Sequence, residues 1–195
     1  MNSDQVQYET LLSQYCDQLE AIKLLRQYRP YFEMIPSLRR PTQSLICLPL
    51  PVVKLEQPQD AQPHVALAAD LGLLMCDPEW KIKTGREIFI FIHRPGEDFS
   101  QLLSRWRQVE IILGCNYYWL LPWKYQHIMA EKGEAHYPLF VTLSYTPSRI
   151  IKGLAGCSLP TISVSLNLAD LESETFDQLE RSLPADSSSD YQVGD

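Results

Sequence analysis

Apolar side chains occupy both faces of residues 87–93: Ile88, Ile90 and Ile92 project one way, Phe89 and Phe91 the other. A half-exposed strand alternates with polar residues, so this pattern predicts a strand covered on both sides and central in its sheet. His93-Arg94-Pro95-Gly96 ends it, because proline removes a ladder donor and glycine frees the backbone to turn. Asp98 then stands as an N-cap, with Gln101 three residues later placed to close a capping box. Phe99, Leu102, Leu103, Trp106, Val109 and Leu113 recur at helical spacing, while Ser100, Arg105, Gln108 and Glu110 take mostly other faces. Gly114 stops the helix. Residues 115–121 read as a second apolar strand, stopped by Pro122. The run 87–121 is thus a βαβ-like unit. Its connection of about twenty residues is long enough for a parallel crossover, with an antiparallel return as the alternative.

The remaining pattern builds outward from this unit. Tyr8, Leu11, Leu12, Tyr15, Leu19, Ile22 and Leu25 form one stripe, predicting a long amphipathic helix over 4–28 that packs on the sheet or on a second copy. Pro49 and Pro51 exclude a central strand there and leave an edge strand or a polyproline segment. After the polar loop 57–63, the stretch 64–76 reads as strand on both sides of Gly72, although its alanines favour a helix. Residues 123–132 and 150–154 suggest short helices, and 137–145 a strand with Leu139, Val141 and Leu143 on one face. Residues 161–167 alternate strictly, which predicts a wet serine face. Leu168, Leu171, Phe176, Leu179 and Leu183 outline an acidic amphipathic helix over 168–184, and 185–195 has the composition of a disordered tail. The fold class is therefore α+β or α/β, a single mixed sheet around the 87–121 unit. A helical 1–28, a core domain 29–167, the acidic helix and the tail make up the chain.

Charge changes this picture only when divided along the sequence. Of the net −7, residues 161–195 hold eight acids against Arg181 alone, so the body is neutral. A generally basic nucleic-acid face is absent from these totals, and Arg39, Arg40, Lys81, Lys83 and Arg86 rank only as a third-choice binding set. Cys16, Cys47, Cys76, Cys115 and Cys157 are far apart and odd in number, as reduced thiols would be. The first residues lack the basic and apolar regions of a signal peptide, and no apolar run approaches the ~20 residues a membrane span needs. The expectation is a cytoplasmic protein.

Candidate chemistry is sparse. His93 and Arg94 stand where the central strand ends, a place where open α/β sheets bind ligands, and helix amides near Asp98 favour an anion there. Glu97 and Asp98 oppose this with negative charge. Arg149 and Lys152, beside Ser148 and Gly153, form a second anion-binding candidate. His127 and His136, with Glu131 and Glu134 between them, match no metal-ligand spacing, so no metal and no cofactor are expected. Neither a Gly-x-Ser-x-Gly elbow nor an activated cysteine can be argued. Tyr117, Trp119 and Trp123 head an aromatic cluster that suits a core or a partner contact, and Leu171, Phe176 and Leu179 could dock in a groove of another protein. The leading expectation is a non-catalytic interaction protein, such as an assembly factor, adaptor or regulator, binding another protein or itself through the N-terminal helix. The alternative is a small-molecule or anion binder, or an enzyme, using His93, Arg94, Arg149 and Lys152.

Overall fold

A computed structural model describes residues 2–56, 64–79, 82–125 and 131–166. The chain divides into residues 1–164 and 165–195, and the architecture below belongs to the first unit. Its helices are α1 (Ser3–Tyr15), α2 (Gln18–Arg26), α3 (Arg29–Phe32), α4 (Phe99–Leu113) and α5 (Ser148–Gly156). Its strands are β1 (Leu45–Pro49), β2 (Val52–Leu55), β3 (His64–Ala66), β4 (Leu71–Asp77), β5 (Ile82–Ile92), β6 (Tyr117–Trp119), β7 (Ala135–Thr142) and β8 (Thr161–Ser163). Five strands form a mixed sheet in the order β1-β4-β5-β7-β8. The β1–β4 and β4–β5 pairs are antiparallel, whereas β5–β7 and β7–β8 are parallel. A second, antiparallel sheet has the order β3-β2-β6.

β5 is the middle strand, and Ile88 to Ile92 are fully buried as their two-faced apolar pattern requires. Cys47, Leu73, Ile88 and Tyr137 lie in one row across the sheet, so they share a face. That face carries the N-terminal helices: the Cys47 thiol donates to the Tyr15 carbonyl at 3.2 Å, and the Tyr31 hydroxyl to the Pro138 carbonyl at 2.8 Å. On the opposite face Phe89 and Phe91 meet Trp106 of α4 at ring separations of 6.3 and 5.8 Å, and Phe89 stacks on Trp119 of the small sheet at 5.9 Å. The five-stranded sheet is therefore the middle layer, with α1 to α3 below and α4, α5 and the small sheet above.

The helix α4 starts as its sequence predicts. Asp98 Oδ1 accepts from the Gln101 amide at 2.8 Å, and the Asp98 amide donates to Gln101 Oε1 at 2.8 Å. Strands form on both sides of Gly72 within 64–77, and β1 is the edge strand that Pro49 demands.

Two elements differ from the sequence reading. The stretch 4–28 is not one helix but α1 and α2, broken at Asp17, whose Oδ1 accepts from the Leu19 and Glu20 amides at 2.8 and 3.2 Å. An aspartate satisfies these amides better as a cap than inside a helix. As a result Leu19, counted in the apolar stripe, is 55% exposed. Second, residues 117–119 do not return to β5. They pair with β2, Trp119 opposite Val53, and the parallel partner of β5 is β7. The patterns explain the exchange: Leu139, Phe140 and Val141 bury side chains on both faces, as a parallel strand must, whereas Tyr118 faces out between buried Tyr117 and Trp119. The expected acidic helix 168–184 and the tail lie outside the described residues.

Candidate functional site

Two buried carboxylates flank the central strand, and every sequence-predicted site residue on the body is placed relative to them. Asp70, just before β4, has no exposed surface. Its Oδ1 accepts from the Tyr8 hydroxyl and from Arg94 Nη2, both at 2.9 Å. Its Oδ2 accepts from the Ile92 amide at 2.7 Å and from Arg105 Nη2 at 2.5 Å. Arg105 also donates to the Ala68 and Ile92 carbonyls, both at 3.0 Å, and its guanidinium lies 5.5 Å from the Phe91 ring centre. Burial, and after it the charge of Asp70, pushes the Tyr8 hydroxyl up to about 12.

His93 lies at this end of β5 but is only 1% exposed. Its Nδ1 is 3.2 Å from Thr146 Oγ1, and its Nε2 3.0 Å from the Glu97 carbonyl. Arg94 is half-exposed and borders a cleft of about 490 Å³ shared with Gly96, Glu97, Gln101, Ser104 and Arg105. Arg149 and Lys152 do not line that cleft. They are exposed on α5, which packs against the start of α4 so closely that a Cβ on Gly153 would stand 2.8 Å from the Phe99 ring. Of the four predicted ligand-binding residues, the structure places His93 and Arg94 together and the other two apart.

Glu87, at the start of the apolar stretch of β5, is the second buried acid. Its Oε1 accepts from Trp119 Nε1 and from the Gly133 amide, both at 2.7 Å. Its Oε2 accepts from the Tyr117 hydroxyl at 2.8 Å and lies 3.3 Å from His136 Nε2. The register fixes this pair, since Glu87 and His136 are direct partners on β5 and β7. Burial first, then the Glu87 charge, raises the Tyr117 hydroxyl well above the ordinary tyrosine range. Position 133 must be glycine, because a Cβ there would lie 2.6 Å from the Gly85 carbonyl and 2.7 Å from Glu87 Cδ. His136 opens on a cleft of about 300 Å³ with Trp106, Glu110, Leu113 and Gly114. The sequence reading passed over the Glu87–His136 pair, because strand register, not spacing, creates it.

The aromatic cluster divides in two. Tyr117 and Trp119 are 2% exposed and belong to the core, whereas Trp123 is 84% exposed. The Leu120 amide donates to the Val52 carbonyl at 3.1 Å, extending the β2–β6 ladder towards Leu50 and Pro122. Leu50, Leu120 and Trp123 are each exposed, and Tyr118, opposite Lys54, is exposed as well. Leu171, Phe176 and Leu179 lie outside the described residues. Among the described residues no group of three or more His, Cys, Asp or Glu side chains is arranged to hold a metal, and no helix is long and apolar enough to cross a membrane. Compared with family models, curated proteins and solved structures, the chain finds no match.

Proposed function

We propose that this protein is a non-catalytic interaction module, an assembly factor, adaptor or regulator, that docks a different protein on the outward face of its small sheet. The observation that carries this reading is Trp123, 84% exposed, three residues after the exposed Leu120. An exposed tryptophan with an exposed leucine close to it in the chain is the composition of an interface anchor. Lys124 follows Trp123 in the chain and lies 4.8 Å from the Tyr125 ring centre, Lys54 pairs with Tyr118, and neither lysine forms an ion pair among the described residues. The complementary partner is thus a protein segment with apolar side chains and acids beside them. An anion site at the end of β5 has weaker support: Arg94 and Arg105 already face Asp70 and Glu97, which balance their charge.

A photo-crosslinking residue placed at position 123, compared with one at Ile111 on the outer surface of α4, tests the reading. The same protein should be captured at 123 and not at 111. Once purified, it should bind the unmodified chain at least tenfold more tightly than Trp123→Ala. Capture of a second copy alone, or identical capture at both positions, contradicts it.

A further inference from the structure

We propose that Cys16 and Cys47 form a reversible disulfide that fastens the end of α1 to the edge strand β1. The two thiols are far apart in the sequence, but the fold brings them to one junction. The Cys47 thiol, on β1, donates to the Tyr15 carbonyl at 3.2 Å, and Cys16 is the next residue, the cap that follows α1. A carbonyl oxygen lies about 2.8 Å from the Cα that follows it, so Cys47 Sγ stands within about 6 Å of the Cys16 Cα. Burial, and after it the Cys16 thiol, raises Cys47 to about 12, an influence that only a near neighbour exerts. Cys16 is exposed, with its Sγ 3.2 Å from the Leu12 carbonyl, and a change of side-chain rotamer releases that contact. Ser13, Gln14 and Asp17 around it are exposed too, so the outer side of the junction is free to make the small adjustment that disulfide geometry requires.

The oxidant is a small disulfide of the glutathione type. Cys47 is buried, so this reagent meets Cys16 first. Cys16 gives its proton to water and attacks one sulfur of the reagent; a mixed disulfide forms and the first small thiolate leaves. Cys47 then gives up its proton, attacks Cys16 Sγ and expels the second small thiolate. Two protein thiols lose two electrons and two protons, and the reagent takes them up as two small thiols. Burial raises Cys16 as it raises Cys47, so both steps are slow at neutral pH and quicken as pH rises. The pair is therefore a latch that closes under sustained oxidation, not a fast sensor. It is independent of the Trp123 surface.

The test is peptide mapping by mass of the full chain, incubated in its native state with glutathione disulfide. A Cys16–Cys47 link should be the intramolecular product, and it should form about tenfold faster per pH unit between pH 7 and 9. The linked chain should unfold at a higher urea midpoint than the reduced chain, and dithiothreitol should restore the lower one. Cys47→Ser should stop at the Cys16 mixed disulfide, whereas Cys16→Ser should leave Cys47 unmodified. A Cys16 mixed disulfide that persists in the unsubstituted chain, a link to Cys115 or Cys157 instead, or modification of Cys47 in Cys16→Ser overturns the proposal.

Discussion

Asp70 and Glu87 are both without exposed surface and both lean on the central strand, yet different side chains hold them. Asp70 is held by two arginines, a tyrosine and a backbone amide. Glu87 is held by a tyrosine, a tryptophan, a backbone amide and a histidine. The first arrangement closes on itself, because a guanidinium has donors only and its charge cancels that of the acid. The second includes groups whose roles are not fixed, since its tyrosine and histidine can each exchange donor for acceptor. One acid is a brace linking α1, α4 and the end of β5. The other is a brace that also shapes a surface.

Removing charge at each acid separates the two roles. Asp70→Asn turns an amide NH₂ towards arginines that cannot accept, so it should cost about 3–5 kcal/mol, the usual penalty for a broken buried ion pair. Glu87→Gln keeps an oxygen for Trp119 and Gly133. Its new NH₂ meets a hydroxyl that can rotate and an imidazole that can change tautomer, so the loss should be about 1–2 kcal/mol. Alkaline pH acts on the groups that burial holds protonated. Tyr8 is raised from its ordinary 10.0 to about 12, Tyr15 likewise, and Cys47 from 9.0 to about 12, burial being the first cause in each. Folded values above unfolded ones mean that this stability is fully present below pH 9 and is lost as pH rises through 12. The urea midpoint should therefore show no loss from these groups between pH 7 and 9 and should fall above pH 10. The smallest effect belongs to Trp123→Ala, which should change stability by less than about 0.5 kcal/mol, because the side chain is exposed.

The parts of the fold legible in the sequence are those decided by neighbours along the chain. The two-faced apolar run of β5, the capping box of α4 and the edge position of β1 all follow from residues a few positions apart. What escaped depends on long-range pairing. Arg105 looked like a solvent-facing helix residue, yet it is 7% exposed, because its partner Asp70 lies 35 residues earlier. The aromatic cluster could be located but not sorted: Trp119 and Trp123 differ only in that the first lies in the β2–β6 ladder over Phe89. Asp17 carried a usable signal, since an aspartate within a long expected helix is a helix start as readily as a helix interior. Glu87 carried another, as an acid entering a strand buried on both faces requires donors from elsewhere in the fold.

The most direct test of the contrast between the two acids is urea unfolding of Asp70→Asn and Glu87→Gln at pH 7, against the unchanged chain. The account predicts unchanged slopes and a loss of stability about twice as large or more for Asp70→Asn. Equal losses, or a larger loss for Glu87→Gln, would contradict it and would make Glu87 the fold's principal ionic brace.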